Sequence, residues 1–147
     1  MTNNKETIIG LMVDSHNRLE GFLEKFKLGV EDDLQSADND FEKFKEELKS
    51  HLSVEEEAIF KLIKPVEEEG YYEVIPDLIE EHNLLLEMLN DLGNKLATDR
   101  EIDVSKFEKV LIQHKKTEEE YFYPQLENKI EEGQKQEIIN KIKKLSN

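Results

Sequence analysis

His51 and Glu55 stand four residues apart, and so do His114 and Glu118, in the segments H-L-S-V-E-E-E-A-I-F-K-L-I and H-K-K-T-E-E-E-Y-F-Y-P-Q-L. The other two of the four histidines, His16 and His82, recur in D-S-H-N-R-L and E-E-H-N-L-L. Residues four apart on a helix share a face, with Cβ atoms about 5–6 Å apart. An imidazole and a carboxylate so placed can converge on one cation, and glutamate is long enough to reach a second ion from the opposite helix. His16, His51, Glu55, His82, His114 and Glu118 therefore form a candidate ligand set for two metal ions. His16 and His51 would lie near one ion, His82 and His114 near the other, and Glu55 and Glu118 would bridge. Mixed imidazole and carboxylate donors suit iron, manganese or zinc. A carboxylate-bridged pair with four histidines most resembles a non-haem di-iron site. Two carboxylates leave net positive charge on two divalent ions, which attracts hydroxide, oxide, peroxide or nitric oxide. Six protein ligands leave positions where such molecules can bind.

The elements that must position these groups are helices, read from apolar spacings of three and four. The first is expected over about 5–29, with Ile9, Met12, His16, Leu19, Leu23 and Phe26 on one stripe. The polar stretch 31–40, containing S-A-D-N-D, reads as a connection. The second helix is expected over about 39–63, closed by Pro65 and Gly70, with Phe44, Leu48, His51, Glu55, Ala58, Ile59 and Leu62 inward. The third starts near Pro76 and carries Leu78, His82, Leu85, Leu89, Leu92 and Leu96. The fourth starts at Asp103 or Ser105, both suited to an N-cap, and its stripe is Phe107, Val110, Leu111, His114, Glu118, Tyr121, Phe122 and Leu126. A short helix over about 135–145 ends the chain. The expected architecture is all-α: an up-down-up-down four-helix bundle over about 5–129 with a short additional C-terminal helix, all in one domain spanning 1–147. The matching motifs suggest a duplicated pair of helices.

All four histidines fall mid-helix on an apolar stripe. One such histidine is more often a hydrogen-bonded core residue than a ligand. Four in equivalent places, beside two inward carboxylates, are costly to bury unless paired or bound to a metal.

Composition removes several classes of function. The 147 residues contain no cysteine, which excludes disulfides, thiolate zinc sites, iron–sulfur clusters and thiol chemistry. A formal net charge of −15 repels phosphate backbones, so no nucleic-acid partner is expected. No apolar run approaches the roughly 20 residues of a membrane span, and the start M-T-N-N-K-E-T has no secretion signal. A cytoplasmic protein with no membrane partner is the expectation.

Ferritin-like di-iron proteins need Glu-x-x-His on two helices. Val13, Leu48, Ile79 and Leu111 stand three before the histidines here, so that family does not fit. There is also no His-Glu-x-x-His of a zinc protease. The pattern His, His-x-x-x-Glu, His, His-x-x-x-Glu, with a Glu-Glu pair after each motif and Tyr123-Pro124, resembles the hemerythrin-like (HHE cation-binding) family from about Ile8 to Leu126. The resemblance implies a four-helix bundle around a di-iron centre, two iron ions with an oxo or hydroxo bridge. By position it implies the ligands His16, His51, Glu55, His82, His114 and Glu118. Oxygen-carrying relatives have a further histidine where Leu86 stands, and an aspartate where Glu119 stands. The implied site is therefore more symmetric and more open, with Glu118 or Glu119 as second bridge. Iron-centre-repair relatives carry an N-terminal cysteine-bearing domain, which this chain lacks.

The expected function is a non-enzymatic di-iron protein that binds or senses a small ligand: dioxygen, nitric oxide or peroxide. The alternatives are a di-iron peroxidase or nitric-oxide stress-repair protein, and an iron-responsive binding module. Glu20, four after His16, reads as solvated or supporting a ligand rather than ligating. Glu56, Glu57, Glu119 and Glu120 read chiefly as surface residues, with supporting a ligand histidine as the other option. Tyr121 and Phe122 read as core around the site, Tyr121 with a hydroxyl available to a bound ligand. Pro124 should bend or end its helix. The last helix is expected to dock on the bundle.

Overall fold

The computed structural model describes residues 6–32, 34–63, 73–98 and 102–146. Among them there is no strand. The order is α1 (Ile8–Asp32), α2 (Leu34–Val54) running into a π turn (Glu55–Phe60), α3 (Ile75–Ala97), α4 (Ser105–Thr117) running into a second π turn (Glu118–Phe122), α5 (Tyr123–Lys129) and α6 (Glu132–Leu145). The protein is all-α. Pro76 lies in the first turn of α3, where its missing N–H removes no helical bond. Asp103 accepts hydrogen bonds from the Ser105 backbone and hydroxyl and so satisfies one free donor at the start of α4. Pro65 and Gly70 lie outside the described residues.

Stretch 31–40 is not the connection its composition suggests: α1 runs to Asp32 and α2 begins at Leu34. The reason is a small-residue contact. A Cβ on Gly29 would come within 3.1 Å of the Ala37 backbone, so glycine lets the two helices approach there without displacement. Ala37 is fully buried against it, and Phe26 and Phe41 pack at 5.3 Å nearby. Tertiary packing overrides the weak helix propensity of Ser, Asp and Asn.

α1 packs along α2, α3 against α4, and α2 against α3. Their stripes build two apolar clusters. One joins Leu19, Leu23, Phe26, Phe44, Leu48, Leu85, Leu89, Phe107 and Leu111. The other joins Ile8, Met12, Ala58, Ile59, Leu78, Phe122, Tyr123 and Leu126. α6 packs on α1 and on the first π turn, adding Ile138, Ile139 and Ile142 to the second cluster. Burying each such side chain contributes about 1.5–3 kcal/mol. The histidines lie in sequence between residues of the two clusters, so the apolar layers offset the cost of a polar layer between them.

Candidate metal centre

His16 comes from α1, His51 from α2, His82 from α3 and His114 from α4, while Glu55 and Glu118 each open a π turn. All six are buried, both glutamates completely. The structure brings them together in two sets: His16, His51, Glu55 and Glu118, and Glu55, His82, His114 and Glu118. Within each set one donor atom of every residue lies within 4.8 Å of the others. Both carboxylates belong to both sets. Glu119 stands outside them.

The two imidazole nitrogens have different surroundings. Outward-facing Nδ1 donates to a glutamate in three of the four rings: His16 to Glu119 at 2.5 Å, His82 to Glu56 at 2.7 Å and His114 to Glu81 at 2.6 Å. His51 Nδ1 instead meets the buried Ser15 hydroxyl at 2.6 Å. Inward-facing Nε2 meets the shared carboxylates: His16 to Glu118 and His82 to Glu55, each at 3.0 Å. His51 Nε2 lies 3.5 Å from Glu55, and His114 Nε2 lies 3.1 Å from Glu118, close but not aligned for a hydrogen bond. His51 Nε2, His114 Nε2 and Glu118 Oε2 are buried without a hydrogen-bond partner.

Such orphans are rare in folded proteins and call for a partner. With the proton of a neutral imidazole committed to Nδ1, Nε2 presents a lone pair to a carboxylate that also only accepts. Cations placed between them resolve the conflict, and nitrogen and oxygen donors of this kind fit iron, manganese or zinc. Ligating histidines commonly donate their other nitrogen to a carboxylate or carbonyl, which fixes ring and tautomer.

Without a metal, protons must do this work. Burial disfavours charge on His16, but the hydrogen bond and charge of Glu118, with Glu55 and Glu119, hold its pKa above 6.5. His82 is raised likewise, Glu55 and Glu56 outweighing burial. His114 is pushed up to about 12, burial being overcome by Glu118, Glu55 and Glu81. His51 goes the other way, to about 3, because burial and the neighbouring imidazoles outweigh Glu55. Burial and the charge of Glu55 raise the Glu118 carboxyl above the usual carboxylate range. Even this network of protons leaves His51 neutral and without a partner at Nε2.

The π turns explain which residues surround the cluster. Their backbone bonds span five residues, as in Tyr123 N–H to Glu118 O and Lys61 N–H to Glu56 O. A wider turn carries the inward face one residue further along the chain. Phe122 and Tyr123 are therefore buried, while Tyr121, expected from α-helical spacing to pack in the core around the site, is 42% exposed. Tyr123 donates its phenol proton to Glu55. Pro124, which has no N–H, sits in the first turn of α5 immediately after the π turn.

Of the flanking glutamates, Glu56 and Glu119 support ligand-facing histidines, whereas Glu57 pairs with Lys61 and Glu120 is exposed. Glu20 pairs with Lys115 and stands outside both sets. Leu86 packs against the first apolar cluster. Sequence reasoning missed Ser15, Glu81 and Tyr123. The visible signal was that Ser15 and Glu81 each directly precede a lone histidine.

Among the described residues no helix is long and apolar enough to cross a membrane. The family model described as "Hemerythrin HHE cation binding domain" matches residues 7–126 of the chain. Neither the curated proteins nor the solved structures gave a match.

Proposed function

The chain belongs to the hemerythrin HHE cation-binding domain family, and on that premise we propose that it is a di-iron protein that binds or senses a small ligand such as dioxygen, nitric oxide or peroxide. The helices α1 to α4 act as an up-down-up-down bundle in a single domain, with α6 as an added helix. The residues that would hold the metal are His16, His51, Glu55, His82, His114 and Glu118, with Glu55 and Glu118 shared between the two ions. When bound, the ions supply redox-active positive charge and open positions for an external molecule.

The observation that carries this reading is the convergence of four Nε2 atoms on two shared, fully buried carboxylates, with each Nδ1 tied outward. The chain's own residues do the rest. Glu119, Glu56 and Glu81 keep the Nδ1 protons and aim the rings. Tyr123, whose pKa burial raises well above 10 with help from the charges of Glu118 and Glu55, stays protonated and holds Glu55 in place. Apolar layers flank the polar cluster on either side. Elemental analysis of protein from iron-replete cells tests the proposal: about two irons per chain are expected for a paired site. A single zinc, or no metal, overturns it.

A further inference from the structure

We infer that neutral, weakly hydrated molecules of diatomic size reach the metal centre between α1 and α4, through an apolar cavity that ends on His16. The inference rests on the di-iron reading for its destination, and on the cavity itself for its route. The cavity holds about 200 Å³. Its walls are Leu19 and Leu23 from α1 and Leu111 and Ile112 from α4. His16 lies at the inner end, and Ile112 at the outer end is nearly half exposed. A water molecule takes roughly 30 Å³ in the liquid, so the space exceeds what a diatomic molecule requires, and apolar cavities of this order take up xenon.

The charges at the mouth choose among ligands. Glu20, Glu24, Glu108 and Lys115 border the cavity, and the Lys115 ammonium pairs with Glu20 across the gap between the two helices. Lys27 holds Glu108 at 2.9 Å and Glu24 at 3.5 Å. The rim is acidic on balance, on a chain of net charge −15, which disfavours anions. The leucine walls offer no hydrogen bonds to replace the hydration of a peroxide, whereas a neutral gas loses little on entry.

A second cavity, of about 350 Å³, reaches His51 from the opposite flank, between α1, α2 and α6. Its lining includes Asp14, Ser15, Arg18, Glu47 and Lys143, so it suits water and protons rather than gas. A third cavity, about 610 Å³ over α2 and α3, has no histidine in its lining.

Crystals of the iron-loaded protein pressurised with xenon, and stopped-flow association of nitric oxide and of azide with the reduced protein, test the route. Xenon is expected between α1 and α4 beside Leu19 and Leu111. Ile112→Trp is expected to displace the xenon and to slow nitric oxide association by about tenfold or more, with iron content unchanged. Azide, an anion, is expected to show a smaller slowing in the same variant. No xenon in this cavity, or an unchanged nitric oxide rate in Ile112→Trp, overturns the inference. Failure of the di-iron reading shows separately, as absence of iron while xenon still occupies the cavity.

Discussion

In the half of the cluster built from α3 and α4, Glu81, the residue before His82, ties His114, and Phe60 stacks on the His82 ring at 5.7 Å and 26°. In the half built from α1 and α2, Ser15, the residue before His16, ties His51, and Tyr123 stacks on His16 at 6.5 Å and 29°. The remaining ties correspond as well, Glu56 to His82 and Glu119 to His16. The same plan is laid down twice, and two exchanges distinguish the copies: serine for glutamate and tyrosine for phenylalanine. The serine leaves His51 without a carboxylate to hold its Nδ1 proton. The tyrosine gives Glu55 a donor, while Phe60 carries no hydroxyl and Glu118 Oε2 has no partner. Cavities reach His16 and His51, and none of the three described cavities is lined by His82 or His114. A duplicated motif thus yields two halves that differ in the ties on their histidines.

The largest effect tests what the halves share. Glu55→Ala removes a carboxylate common to both sets and is expected to reduce metal content from about two ions per chain to nearly none. Glu20→Ala keeps the full content, because that residue only forms a partly exposed ion pair with Lys115. Elemental analysis of both variants decides; equal metal loss in the two contradicts the assignment.

Acid should separate the halves next. His16, His82 and His114 have raised pKa values and keep their second ring proton to higher pH than an ordinary histidine, whereas His51, lowered to about 3, is a neutral imidazole near neutrality. Metal binding must displace the held protons, so affinity falls as pH falls, by about tenfold per unit for each proton released. The half with His82 and His114 gives up more protons, so its ion should show the steeper pH dependence. Metal titrations at several pH values, with proton release measured in weakly buffered solution, check this.

Glu81→Ala removes the tie on His114 and is expected to weaken metal binding by about 10–100-fold. Ser15→Ala removes a neutral tie from His51 and is expected to do less, although both variants are built on corresponding positions. Competition with a chelator measures the difference, and a larger loss in Ser15→Ala would reverse the proposed ranking. Tyr123→Phe makes the two halves alike at that point. It strands a buried oxygen of Glu55 and is expected to destabilise the metal-free protein by about 1–3 kcal/mol, seen as a lower denaturant midpoint with metal content retained.

Helix periodicity and histidine spacing were enough to read the all-α class and the six converging residues. Each of those residues sits on its helix's apolar stripe, and a stripe is a local property of the chain. Residues one position off the stripe were not legible in the same way. Whether Glu56 or Glu57, or Glu119 or Glu120, supports a histidine depends on how one helix is rotated against its neighbour. Glu81 and Ser15 reach His114 and His51 only because α4 and α2 come beside them. Tyr123 replaced Tyr121 because the backbone widens into a π turn at Glu118, which residue spacing alone does not announce. Residues 34–40 joined α2 where Gly29 meets Ala37, a packing event between two elements. The amino-acid sequence by itself determined that the four histidines, Glu55 and Glu118 face inward, since a period of 3.6 depends on neighbours in the chain. Only the tertiary structure decided which outward residue orients which ring, since that depends on distances between helices.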